Sequence, residues 1–358
     1  MSYQLGPEHP LQPDRVRLAV DLIRRRGLTA GAELSEPRQA SETELALCHS
    51  RGYIDVVRML SDPFMRAGIE RSPIREAGFG SEDNPIVDGM HEAAATVAGG
   101  SLLAAESVHS GAAVHAFNPA GGLHHATWNR ASGFCVYNDV AVVAAWLREH
   151  GHRVACVDVD AHHGDGTEAI FVHDPEVLTI SLHESGRYLF PGTGFPDEAG
   201  VGRGRGSSAN LPLQPYIWDE PWLAAFEAVV PPLLREFRPT VLVTQDGCDT
   251  HLLDPLTHLQ CSTAIWPRIG GRFHELAHEL CGGRWVALGG GGYAVQEVVP
   301  RAWTLLFAEM VEQPELASDL VDPAPTVPGS EAQERVWEFL KRDLDHLSRA
   351  LGVRLELP

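Results

Sequence analysis

One stretch constrains this chain more than any other. Residues 155–171 read ACVDVDAHHGDGTEAIF, so Ala155-Cys156-Val157 runs directly into Asp158, Asp160, His162, His163 and Asp165. A near-continuous apolar run is the mark of a strand covered on both faces, where unpaired acids and imidazoles are costly to desolvate. Side chains on a strand alternate with period two, so residues 158, 160 and 162 share one face and converge at the strand's end. Two arrangements satisfy such a cluster. Either a divalent cation compensates the carboxylates, or a buried ion-pair network does, capped by the turn at Gly164 and Gly166.

Four short apolar, β-branched segments predict strands, at 153–159, 177–183, 240–245 and 285–289. Helical periodicity falls at about 14–26, 41–60, 88–109, 138–150, 219–237, 264–281 and 295–311. Strand-helix alternation of this kind predicts a single α/β domain over 1–311, with a mainly parallel sheet and helices on both faces. Ligands on such sheets bind beyond the carboxyl ends of the strands, where the polar clusters here lie. Residues 312–332 are rich in proline and acid and read as a linker. Beyond it, Val336, Leu340, Leu344, Leu347 and Leu351 have helical spacing, which predicts an amphipathic C-terminal helix over 333–358 packing back on the body.

The balance of charge narrows the partners. With 28 basic and 48 acidic residues the net charge is −20, which argues against a phosphate-neutralising nucleic-acid surface. No apolar run is long enough to span a bilayer, and the opening MSYQLGPEHP is too polar for a secretory signal. The six cysteines form no CxxC pair and no dense framework, so they read as reduced thiols of a cytoplasmic protein.

Other segments add chemistry. GGLHHATWN supplies His124 and His125 after a glycine pair, and TQDGCDTHLLDP places Asp246, Asp249 and Asp254 just past an apolar run. ALGGGGYAV follows another strand with a glycine run and Tyr293; it lacks the Lys-Ser/Thr of a phosphate-binding P-loop. Together these suggest a metal hydrolase. An Asp/His/Asp ligand set leaves positions open for water and a substrate carbonyl. A neutral histidine nearby acts as base and acid, and a tyrosine hydroxyl stabilises an oxyanion.

With those motifs assembled, the chain resembles the zinc-dependent histone deacetylase superfamily, and within it the bacterial acetoin-utilisation deacetylases. The resemblance rests on GGLHHATWNRASGFCVYNDVAVVA (121–144), DVDAHHGDG, SLHESGRYLFPGTG, QDGCDTHLLDPLTHL and GGGGY, with GSEDNPIVDGMHEAA (80–95) and RWVALGGGGYAVQEVVPRAW (284–303). It runs from about residue 6 to 311 and implies an arginase/deacetylase-like fold. Relatives carry a further N-terminal segment that adds a strand, so the resemblance implies either a late start or a reorganised sheet edge here. Leu123, before the histidine pair, stands where eukaryotic classes have Trp or Pro.

By that likeness, Asp160, His162 and Asp249 match the metal ligands; the family metal is zinc, and such a set also accepts Fe(II). His125 matches the general base and acid with Asp165 as partner, His124 the electrostatic histidine with Asp158, and Tyr293 the oxyanion tyrosine. Gly133, Phe134 and Phe190 match channel walls, Leu256 the channel mouth, and Asp83 a rim carboxylate that binds substrate backbone. The likeness also implies structural potassium. One site takes Asp158, Asp160, His162, Ser181 and Leu182, and a second includes Phe171 and Val177.

The implied reaction is hydrolysis of N6-acetyl-lysine in proteins, with metabolic enzymes such as acetyl-CoA synthetase as substrates. Two other readings stay open: an amidohydrolase of acetylpolyamines or other small acetylated amines, and a silent acetyl-lysine binder. The sequence leaves the oligomeric state open.

Overall fold

A computed structural model describes residues 4–68, 70–323 and 327–358. Its centre is a six-stranded sheet of β1 (His115–Asn118), β2 (Val154–Asp158), β3 (Val177–Glu184), β4 (Ser208–Leu213), β5 (Val241–Gln245) and β6 (Trp285–Leu288). The spatial order is β1-β6-β5-β2-β3-β4, and every pair is parallel. From β2 the chain builds outward through β3 and β4, then crosses back to place β5 on β2's other side. Connections leaving β2 and β5 in opposite directions open a crevice at their carboxyl ends. Register fixes its floor: Asp158 stands opposite Ser181 on β3 and Gln245 on β5.

Helices cover the sheet. Along the chain they are α1 (Asp14–Arg25), α2 (Glu42–Leu45), α3 (Arg51–Ser61), α4 (Pro63–Arg66), α5 (Arg71–Glu76) and α6 (Met90–Ser110). Then follow α7 (Asp139–Glu149), α8 (Asp165–Phe171), α9 (Asp219–Phe237), α10 (Ile265–Cys281), α11 (Val299–Met310) and α12 (Ser330–Leu351). Strand side chains divide between two cores. Ala155, Val157, Leu178 and Ile180 pack with α9, α10 and α11, whereas Val154, Cys156, Val177 and Val243 pack with α3, α6 and α7. That two-sided burial is why the strands lack apolar-polar alternation.

The α/β class and parallel sheet agree with the sequence expectation, but two strands escaped it. β1 is only HAFN, half-buried throughout, with no β-branched residue. β4 is SANLPL, and its Pro212 reads as a breaker; proline is tolerated there because β4 is an edge strand. The helix expected over 41–60 is also broken. α2 stops at Leu45, and Ser50 caps α3 by accepting a hydrogen bond from the Tyr53 amide at 3.1 Å. The break turns the His49 ring into the interior, where it is fully buried.

After α11 the chain makes short turns at Pro314–Leu316 and Ser318–Leu320, and Asp322 accepts hydrogen bonds from Arg301 at 2.5 Å and His251 at 2.8 Å. Of the segment expected as a linker, residues 324–326 lie outside the described residues. α12 then buries Val336, Leu340, Leu344 and Leu347 in the larger core. Among the described residues no helix is long and apolar enough to cross a membrane.

Candidate functional site

The loop after β2 does what an extended strand was expected to do. β2 ends at Asp158, and backbone amides fold the next residues inward: Asp160 N–H donates to Asp158 Oδ1 at 3.1 Å and His162 N–H to Asp160 Oδ1 at 2.9 Å. Asp249, from the loop after β5, is drawn in by the Ala161 amide at 2.7 Å. Asp160, His162 and Asp249 are all buried, with one donor atom from each lying within 4.8 Å of the others. His162 Nδ1 stands 2.9 Å from Asp249 Oδ2 and 3.1 Å from Asp160 Oδ1. Gly247 and Gly291 permit this packing, because a Cβ on either would fall 2.0–2.2 Å from an aspartate oxygen.

The charges compete at one point. Burial opposes a proton on His162, but hydrogen bonds to Asp160 and Asp249 outweigh it and hold its pKa well above the ordinary value. Burial, with the Asp160 charge beside it, pushes the Asp249 carboxyl well above the carboxylate range. Two carboxylates and an imidazole at edges of about 3 Å match donors placed about 2 Å from one divalent ion. The donor set therefore fits a metal by chemistry and by spacing.

Beside it sits the histidine dyad, carried by the loop after β1. Asp139 at the start of α7 accepts from the Gly122 and Leu123 amides at 3.0 and 2.7 Å, while Asn138 Nδ2 donates to the carbonyls of His124 and Ala126 at 2.9 and 3.1 Å. So held, His124 Nδ1 meets Asp158 Oδ2 and His125 Nδ1 meets Asp165 Oδ1, each at 2.7 Å. The Asp165 carboxylate fixes the His125 ring as the Nδ1–H form, which leaves its Nε2 lone pair facing His124 Nε2. Burial, then the neighbouring His124, push the His125 pKa down to about 4, so the ring is neutral at pH 7. Tyr293 follows β6; burial, with Asp249 and Asp160 adding, raises its pKa well above the usual value and keeps the phenol protonated.

A narrow cavity leads to these groups, with Leu11, Leu123, His125, Phe134, Asp160 and Tyr293 in its wall. Gly133 has φ +50°, and a Cβ there would meet the His125 ring at 2.3 Å; Phe134 follows at φ +71°, a costly conformation for a side chain of that size. The Phe134 ring lies 5.8 Å from Tyr293, and Phe190 lies 5.0 Å from His125. Asp83 is exposed and does not line this cavity; its carbonyl faces His9 Nε2 at 3.3 Å, and His9 stacks edge-on to Phe134 in the cavity wall. Leu256 is half-buried, its amide held by Asp254 Oδ1 at 3.0 Å, while Asp254 Oδ2 accepts from the Tyr293 amide at 2.9 Å.

The residues expected at potassium sites divide into two groups. Asp158 and Ser181, opposite each other on β2 and β3, line a small and mainly apolar cavity with His163, Glu168, Asn210 and Gln245, whereas Asp160, His162 and Leu182 are not in its wall. Phe171 closes α8 and Val177 opens β3, both in the core with α7, at the end of β3 remote from Ser181.

Several contributors gave no sequence signal of their own. Gln245 donates Nε2 to Asp160 Oδ2 at 2.8 Å and to the Gly122 carbonyl at 3.0 Å, tying the ligand loop to the dyad loop. Arg15 of α1 is buried, stacks on Trp303 and donates to the Gly290 carbonyl just before Tyr293. His49 donates from Nδ1 to the Thr127 carbonyl at 2.9 Å and accepts the Asn138 amide at Nε2 at 3.0 Å. A polar residue closing an apolar strand run is a usable signal for Gln245; nothing comparable marks Arg15 or His49.

Comparison with known proteins follows the same motifs. A model of the histone deacetylase domain matches residues 9–310. The acetoin utilization protein AcuC of Bacillus subtilis (strain 168) is 44% identical over 313 residues, covering 86% of this chain and 79% of that protein. AcuC of Staphylococcus xylosus is 36% identical over 320 residues, covering 89% and 82% respectively. A solved structure described as an HDAC homolog complexed with SAHA superposes with a TM-score of 0.81 at 29% identity, covering 95% of each chain.

Proposed function

The chain belongs to the histone deacetylase domain family, and on that premise we propose that it hydrolyses the acetyl amide of N6-acetyl-lysine in proteins. The observation that carries this reading is a neutral, carboxylate-backed His125 beside a buried Asp/His/Asp donor trio. Asp160, His162 and Asp249 would hold zinc, the same donors accepting Fe(II). When bound, the ion acidifies a water molecule and polarises the substrate carbonyl.

The chain's own residues supply the rest. His125 Nε2 takes the proton of the attacking water, and Asp165 holds the ring and compensates the charge it gains. The Tyr293 hydroxyl donates to the oxygen on which negative charge develops. His125 then returns its proton to the departing lysine amine, leaving acetate and free lysine. His124, backed by Asp158, keeps a polar partner against His125 throughout, with Nε2 to Nε2 at 3.0 Å. Phe134 and Phe190 would grip the lysine methylenes, Gly133 leaves them room, Leu256 sits at the mouth, and Asp83 would accept the substrate's backbone amides. Structural potassium would take Asp158, Asp160, His162, Ser181 and Leu182, of which Asp158 and Ser181 face each other across β2 and β3.

The six cysteines are unpaired and buried, which suits a reducing cytoplasm. Acetylated metabolic enzymes such as acetyl-CoA synthetase are the proposed substrates. The test is acetate release from an acetyl-lysine peptide before chelation, after it and after zinc re-addition, with N-acetylputrescine in parallel. Zinc-restored turnover with a higher kcat/KM on the peptide supports the reading. Turnover confined to the small amine overturns the protein-substrate assignment, and silence from folded, zinc-loaded protein overturns the hydrolytic one.

A further inference from the structure

A second cluster of donors lies at the other end of the sheet. α10 carries His274-Glu275-Leu276-Ala277-His278, so two imidazoles stand one turn apart on one helix face. Edge strand β1 begins with His115, which pairs in register with Trp285 of β6. The His115 ring lies 4.8 Å from His274 and 5.2 Å from His278, and the two helix imidazoles are 4.6 Å apart. One donor nitrogen from each lies within 4.8 Å of the others. We propose that His115, His274 and His278 form a second binding site for a late first-row divalent metal such as zinc, separate from the catalytic centre.

The spacing is that of ligands. His278 Nε2 and His115 Nε2 are 3.3 Å apart. Two nitrogens each about 2.0–2.1 Å from a tetrahedral ion stand about 3.3 Å from one another. Imidazole-only donors select zinc, nickel or copper over magnesium or calcium. Exposure of His278 gives the ion a way in, while His115 and His274 are half-buried.

The helix segment has the H-E-x-x-H spacing of zinc hydrolases, yet Glu275 does not serve as their general base. Its carboxylate is exposed and pairs with Arg272 on the preceding turn at 2.9 Å. The site holds rather than reacts: an ion there ties α10 to β1, a strand with a single neighbour among the described residues.

The test is calorimetric titration of chelator-stripped full-length protein with zinc, comparing wild type with His274→Gln/His278→Gln. The wild type takes up one equivalent more than the double variant, and zinc raises its Tm further. The variant keeps its remaining equivalent and wild-type acetate release. Equal stoichiometry in a double variant with native circular dichroism overturns the proposal. His278→Gln alone alters only an exposed side chain and guards against misfolding. It weakens the second zinc event at least tenfold, and unchanged affinity also overturns the proposal.

Discussion

His124 and His125 face each other through their Nε2 atoms at 3.0 Å, while each sends Nδ1 to its own aspartate at 2.7 Å. Adjacent residues thus share one short gap that accommodates a single proton, because two protonated rings would repel across it. The pair therefore suits moving one proton.

Replacing His125 with Ala removes the acceptor and leaves Asp160, His162 and Asp249 untouched. Acetate release falls by at least the ~10²–10⁴-fold typical of a lost general base. Zinc content, read by atomic emission, stays at the wild-type value. Loss of zinc would mean that this ring is a ligand.

Tyr293→Phe deletes one hydroxyl and keeps the ring packed against Phe134. The lost donor costs about 3–4 kcal/mol in the transition state, so kcat falls by roughly 10²–10³-fold while Tm changes little. Unchanged turnover would remove the oxyanion role.

Asp249→Asn separates metal binding from folding. Burial and the Asp160 charge disfavour ionised Asp249, whereas His162 Nδ1 at 2.9 Å favours it, so the amide loses one repulsion and one attraction. The carboxamide oxygen still accepts the Ala161 amide. In urea denaturation wild type gains more stability on going from chelator to zinc than the variant does, because Asp249 supplies one of the ligand oxygens. Equal gains in the two proteins would remove Asp249 from the ligand set.

His49 predicts an acid limit on stability. Its pKa is depressed by burial from 6.5 to about 4, and its Nε2 lone pair is committed to the Asn138 amide. A depressed pKa gives stability that is fully present above pH 6.5 and is lost as pH falls through about 4. The full loss from this ring is about 3 kcal/mol. Urea denaturation of wild type and His49→Gln at a series of pH values isolates it, since the other histidines titrate in both. The variant is weaker at pH 7 by about 1–3 kcal/mol and its stability curve is flatter. Parallel curves would assign the acid sensitivity elsewhere.

Legibility in the sequence followed burial. β2, β3, β5 and β6 are apolar on both faces and announce themselves, whereas β1 is short and half-buried and β4 carries Pro212 on an edge. The metal-binding candidates stood out because Asp160, His162 and Asp249 break apolar runs. Their supports did not: Asp139 looks like an ordinary first-turn acid, and Arg15 like one more charge on an amphipathic helix, until the fold shows both buried. His49 was hidden differently, since a helix interrupted by one inward turn keeps nearly the periodicity of an unbroken one.

Strand order carries a consequence for synthesis. Among the described residues β1, whose loop bears His124 and His125, hydrogen-bonds to no strand except β6, the last to be made. While the chain emerges from the ribosome, β2, β3 and β4 find their neighbours and β5 finds β2, but β1 waits for nearly the whole domain to be translated. β1 is therefore seated late although its histidine loop has early anchors at Asn138, Asp139, Asp158 and Asp165, and a nascent chain stalled before Trp285 lacks both the partner of β1 and Tyr293.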